Sequence, residues 1–148
     1  MSAIQATPQL SLEVRRTFAA SRERVFAAWT QRDQYSQWMC KATPPRNKVE
    51  CVEFDPRPGG RFAVSNVTPT GETKQVYGEF KEITPPNKIV FTWQSTKMAA
   101  DTLVTVEFFE RGNQTELVLT HTGFLNLEDR EGHSKGWNGC FDTLTGIL

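Results

Sequence analysis

The sequence predicts an α+β fold in which a curved antiparallel sheet of about six or seven strands packs around a long C-terminal helix. Two observations predict it. Through most of the chain, apolar and polar residues alternate, and short turn sequences rich in glycine and proline separate the alternating segments. Near the C-terminal end the apolar period becomes that of a helix, which must bury its apolar stripe against the sheet.

The first elements are one strand and two short helices. Alternation from Leu10 to Phe18 predicts a half-buried strand. Ser21 is a favourable N-cap for the first helix, and a second helix fits Arg32–Met39. The apolar residues at helical spacing in the first helix are Val25, Phe26 and Trp29.

Alternation predicts the remaining strands. Cys51 and Val52 interrupt one pattern, which indicates a β-bulge. Gly78 lies inside another strand, which indicates a sharp bend or a close approach by the helix. The predicted strands are Val49–Phe54, Arg61–Asn66, Val76–Ile83, Ile89–Trp93, Val104–Phe108 and Leu117–His121.

The last helix is predicted from Trp137, Phe141, Leu144 and Leu148, which fall at i, i+4, i+7 and i+11 on one stripe. Acidic residues precede this stripe, as suits a helix N-terminus. Glycines occur throughout the segment, and each weakens a helix by about 1 kcal/mol relative to alanine. Tertiary packing must therefore hold this helix in place.

Composition limits the class of protein. The chain has 148 residues, which suits one domain over residues 10–148 behind a flexible leader at 1–9. Its 17 Lys+Arg balance 17 Asp+Glu, which argues against nucleic acid or a polybasic membrane contact as partner. We expect a cytoplasmic protein, because no signal peptide or membrane-spanning run is evident.

Several short phrases carry a family resemblance, and they occur in order along the chain. They are Arg24–Thr30, Gln37–Met39, Pro58–Phe62, Tyr77–Phe80, Ile83–Pro86, Ile89–Trp93, Leu119–Phe124 and Gly136–Trp137. With them, the chain resembles the START-related helix-grip superfamily, also called SRPBCC. Within that superfamily it is most similar to the homologues of the activator of heat-shock-protein ATPase.

The resemblance implies a helix-grip fold with a cavity between the last helix and the sheet. A small hydrophobic or amphipathic molecule bound there, without a cofactor, is the leading function hypothesis. The alternative for the same aromatic residues is that they simply fill the core. The candidate lining residues are Trp38, Phe62, Trp93, Trp137 and Phe141.

Polar groups near the cavity would decide specificity. His121 shares the parity of Leu117 and Leu119, so it should face inward, where it could bind a ligand or act as a general base. Alternatively, His121 lies at the strand end, where it is bonded to a backbone carbonyl or exposed to water. His133 is expected on the surface. No spacing of His, Cys and carboxylates predicts a metal site, and the three cysteines are expected to be free thiols.

Two other functions stay open at this point. The resemblance implies a co-chaperone role in which the protein contacts a chaperone and stimulates its ATPase, as part of a stress response. An enzyme of the cyclase or hydrolase type would use His121 for proton transfer. The chain could be a monomer or a homodimer, because edge strands can pair two copies.

Overall fold

The computed structural model describes residues 10–39, 48–67, 70–96, 98 and 100–148. The predicted leader at 1–9 and Cys40 lie outside the described residues. In chain order the elements are β1 (Leu10–Phe18), α1 (Arg22–Thr30), α2 (Arg32–Met39), β2 (Lys48–Phe54), β3 (Arg61–Val67), β4 (Thr73–Thr84), β5 (Lys88–Ser95), β6 (Thr102–Arg111), β7 (Gln114–Phe124) and α3 (Leu127–Ile147).

The strands form a seven-stranded sheet in the order β1-β7-β6-β5-β4-β3-β2, and every neighbouring pair is antiparallel. Strands β2 to β7 follow one another through short connections, so each pairs with its neighbour in sequence. α1 and α2 separate β1 from β2, and β1 joins the far edge beside β7. The predicted fold class is confirmed, and each predicted strand lies within an observed one.

Both predicted interruptions of the strands are observed. The register of β2 against β3 shifts between Cys51 and Glu53, which confirms the bulge and leaves Val52 exposed. A Cβ atom at Gly78 would overlap the carbonyl oxygen of Thr92 and lie 2.8 Å from the ring of Phe62. The close approach at Gly78 therefore comes from strand β5 and not from a helix.

Side chains cap the starts of α1 and α3, and the cap of α1 is the predicted one. The Oγ of Ser21 accepts a hydrogen bond of 3.2 Å from the backbone N–H of Arg24 at the start of α1. At the start of α3, the Oδ1 of Asn126 accepts one of 2.8 Å from the N–H of Asp129.

Among the helices of the described residues, none combines the length and the apolar character that a bilayer span requires.

The C-terminal half of α3 is held against the edge strand β1. Arg16 is partly buried on the inner face of β1, and its guanidinium donates to the carboxylate of Asp142 at 2.8 Å. The same group lies 6.0 Å from the ring centre of Phe141. α3 packs closely on β1, β7 and α2, whereas the backbones of β3 and β4 stay farther away. This unequal contact leaves a gap on the side of β2 to β4.

Candidate functional site

A cleft of about 400 Å³ occupies the gap between α3 and the β2–β5 side of the sheet. We call it the α3 cleft. Its apolar and thiol side chains are Met39, Val49, Val64, Val76, Trp93, Trp137 and Cys140. Its polar side chains are Asn66, Lys74, Glu128, Asp129 and His133, and Gly132 and Gly136 complete the helical wall.

The indoles of Trp93 and Trp137 line the cleft side by side. Their ring centres are 4.8 Å apart, and both residues are almost fully buried. On the helical wall, an added Cβ at Gly132 or Gly136 would have no atom within 4 Å. These two glycines therefore keep free volume in the cleft, although each weakens the helix.

The predicted lining residues divide into two groups. Trp93 and Trp137 line the α3 cleft. The other candidates lie behind it in the packed core, with exposed fractions of 2% or less. They are Trp38, Phe62, His121 and Phe141. Among these, the indole N–H of Trp38 donates to the carbonyl of Ala28 at 2.8 Å, so α2 is fastened to α1.

His121 is completely buried, and its ring is held at both nitrogens. The indole Nε1 of Trp137 lies 3.1 Å from Nδ1 of His121, and an indole N–H can only donate. Nδ1 therefore carries no proton, and the proton resides on Nε2. Nε2 donates to the hydroxyl of Thr102 at 2.7 Å, and that hydroxyl donates to the carbonyl of Trp93 at 2.5 Å. Neither nitrogen is left for a substrate.

His133 is half-buried, so its predicted surface position is wrong. Helical rotation turns its ring toward the sheet, where it lies 5.3 Å from the ring of His121 and 6.3 Å from that of Trp93. Its Nδ1 donates to the carbonyl of Asp129 at 2.7 Å, which leaves Nε2 without a proton in the neutral ring. The pKa of His133 lies below its ordinary value of 6.5, mainly because of burial and further because of the charge of Lys74, although the bond to the Asp129 carbonyl and the charge of Asp129 oppose this.

Sequence comparison identifies the family. The profile of the family described as activator of Hsp90 ATPase homolog 1-like protein matches residues 19–148. The chain belongs to this family. No curated protein gives a significant match to the sequence.

Solved structures that are similar to this chain share its fold. A protein from Chromobacterium violaceum is 18% identical with a TM-score of 0.83, covering 93% of this chain and 96% of that chain. A protein from Rhizobium loti is 24% identical with a TM-score of 0.81, covering 95% and 97%. A structure described as an HSP90 activator from Plasmodium falciparum is 29% identical with a TM-score of 0.59, covering 77% and 73%.

In this family member, sequence reasoning missed several cleft residues for which a signal existed. Val64 and Val76 lie in strands that were predicted. Gly132, Gly136 and Cys140 recur every four residues, so they share one face of α3. Glu128 extends the same four-residue spacing toward the start of α3, and Lys74 shares the strand parity of Val76, so both carried these signals as well.

The burial of His121 makes stability depend on pH. Burial lowers its pKa from 6.5 to about 3, and the nearby His133 lowers it as well. As pH falls below 6.5, the unfolded chain takes up a proton at this residue while the native chain does not. Stability therefore falls progressively between pH 6.5 and 3, and lowering the pH from 7 to 5 should reduce the free energy of unfolding by about 2 kcal/mol.

Urea unfolding at pH 7 and pH 5 measures this loss, and a His121→Gln variant should show a shallower dependence on pH. NMR titration of the native imidazoles provides a check that does not require the variant to fold. A His121 resonance that titrates near pH 6.5 in the native protein would contradict the prediction.

Proposed function

We propose that this protein binds a small hydrophobic or amphipathic molecule in the α3 cleft. The supporting observation is the cleft itself, whose 400 Å³ lies between an apolar sheet surface and a helical wall that carries glycine. Ligand pockets in proteins are typically about 300–1,000 Å³ and mainly apolar. Val64, Val76 and Trp93 present their side chains there, and covering apolar surface contributes about 25 cal/mol per Å².

Two polar atoms favour an amphipathic ligand over a pure hydrocarbon. The indole Nε1 of Trp93 and the Oδ1 of Asn66 are buried and have no hydrogen-bond partner among the described residues. Leaving such an atom unsatisfied costs about 1–3 kcal/mol. Both atoms belong to side chains of the cleft, so a bound molecule with polar groups could satisfy them after a small adjustment.

Filling the cleft from the helix side tests the proposal. In Gly136→Leu, the new side chain would enter open space in the cleft and replace a poor helix former with a good one. The variant should fold at least as stably as the wild type. It should bind the neutral fluorescent dye N-phenyl-1-naphthylamine about tenfold more weakly, since about 60 Å² of apolar contact would be lost.

The matched control is Gly139→Leu. Gly139 lies on the same helix with equally open surroundings, but it does not line the cleft. This control should bind the dye as the wild type does. The proposal fails if wild-type protein binds no dye, or if both leucine variants bind it equally well. Native mass spectrometry of protein from its own source then provides the mass of any ligand that co-purifies.

A second candidate function is that of a co-chaperone. It is favoured by the family to which the chain belongs and by the likeness to a structure described as an HSP90 activator. Leu125 and Leu127 are 66% and 58% exposed beside the start of α3, and exposed apolar groups suit a protein contact. The ATPase rate of an Hsp90 chaperone distinguishes the two functions. If the exposed leucines carry the function, Gly136→Leu should affect this rate as the wild-type protein does.

A further inference from the structure

The polar side chains of the α3 cleft include a lysine and a histidine that lie on opposite walls. Lys74 of β4 and His133 of α3 both line the cleft, and the charge of Lys74 acts on the imidazole of His133. The apolar side chains Val64, Val76 and Trp93 line the same space. The cleft thus combines an apolar surface with one cation, one imidazole and the two carboxylates of Glu128 and Asp129.

Lys74 has no ion-pair partner within the part of the chain that the structure describes, although Glu128 and Asp129 line the same cleft. Its side chain is only partly exposed. The carboxylate of Asp129 instead accepts a hydrogen bond from the side-chain amide of Asn126 at 3.1 Å. The ammonium group of Lys74 is therefore available to an anion from outside the protein.

The imidazole of His133 can add a second donor. Its Nδ1 already donates to the carbonyl of Asp129, so a second proton would be placed on Nε2. Among the described residues, Nε2 has no hydrogen-bond partner. A carboxylate near this ring would stabilise the doubly protonated form and receive its Nε2–H.

We propose that the α3 cleft selects amphipathic carboxylates, with the head group between Lys74 and His133 and the apolar chain along the β3–β5 surface toward Trp93. This inference rests on the proposed function and names its ligand class. Binding would be accompanied by partial uptake of a proton by His133.

All charged and titratable groups around His133 bear on this proposal. Lys74 attracts the ligand from β4, whereas Glu128 and Asp129 repel it from the first turn of α3. His121 approaches from β7 but stays neutral, because both of its nitrogens are engaged within the core. Among these groups, His133 is the one whose protonation a bound carboxylate should change, because an anion beside the ring favours the imidazolium form.

Calorimetric titration with three ligands of equal tail length tests the charge preference. Decanoate, decanol and decylamine differ only in the head group. Decanoate should bind about tenfold more tightly than decanol, as expected for one partly screened ion pair, and decylamine should bind most weakly. Lys74→Gln should weaken decanoate binding about tenfold and leave decanol binding unchanged.

Two further variants test whether the effect belongs to the charged groups of the cleft or to any charge on the protein surface. Lys135 lies on α3 but outside the cleft, so Lys135→Gln is the matched control and should bind decanoate as the wild type does. Decanoate affinity should rise about threefold or more from pH 8 to pH 6 as His133 becomes protonated, and His133→Gln should abolish this rise.

The outcomes distinguish this inference from the proposed function. If decanol binds, Gly136→Leu blocks it, and decanoate is no tighter, then ligand binding stands and carboxylate selection is overturned. Equal loss of decanoate affinity in Lys74→Gln and Lys135→Gln would overturn it as well. If none of the three ligands binds, both the inference and the proposed function are overturned.

Discussion

Replacement of Trp29 with alanine should lower the free energy of unfolding by about 4 kcal/mol, a large part of the stability of a domain of this size. Trp29 is 2% exposed and lies where both short helices meet α3 and the sheet. Its ring contacts five others, with centres 4.7–6.4 Å away. These rings are Trp38, Phe91, Phe108, Trp137 and Phe141. Alanine would leave a cavity between α2, β5, β6 and α3, which the surrounding side chains can fill only in part.

Urea unfolding followed by far-UV circular dichroism measures this effect. Phe109→Ala is a suitable control, because Phe109 is 37% exposed and has no ring contact with another aromatic side chain of the described residues; the guanidinium of Arg111 lies 5.4 Å from its ring centre. The control should lose less than about 1 kcal/mol, as expected for a partly exposed residue. Equal losses in the two variants would mean that Trp29 is not the centre of the core.

Replacement of Trp137 with alanine should also cost about 4 kcal/mol, and it should disturb the cleft and the core together. Trp137 is 3% exposed, lines the α3 cleft, and donates the hydrogen bond to Nδ1 of His121. The loss combines the cavity with an acceptor that stays buried and unsatisfied. Thermal and urea unfolding of the variant measure the total.

Trp137→Phe separates the two contributions. It keeps an aromatic ring in the core but removes the N–H, so the variant should lose about 2 kcal/mol from the stranded Nδ1 of His121. Without that donor the neutral ring is less favoured, so the pKa of His121 should rise toward its ordinary value. Stability should then fall less steeply below pH 6.5. An unchanged pH dependence would show that the bond between Trp137 and His121 does not control this proton.

The fold could be predicted from the sequence because the patterns that specify its elements are local. The alternation Ile89, Phe91, Trp93 sends every second side chain of β5 to the core whatever the rest of the chain does. Ser21 satisfies a backbone donor within three residues of itself. The inward position of His121 follows in the same way from the parity of its strand.

The cleft was less accessible because its boundaries depend on distances between elements. Trp38, Phe62 and Phe141 are aromatic residues of the kind that line ligand pockets. In the structure Trp38 packs against Phe141, and Phe62 packs against Phe80. His133 has the neighbours of a surface helix residue in sequence, but the rotation of α3 turns it to the sheet. Periodicity indicates that a face is buried, but not whether protein atoms or free volume lie opposite it.

The sequence alone predicts the strands, the helices, the N-cap Ser21 and the β-bulge of this protein. Each of these features depends on residues that lie within one helical turn or one strand. Arg16 and the core rings hold α3 against β1, β7 and α2. These contacts decide where α3 lies away from the sheet and which side chains border the space between them. These contacts join residues more than a hundred positions apart, and no local pattern specifies the distance that they leave on the opposite side.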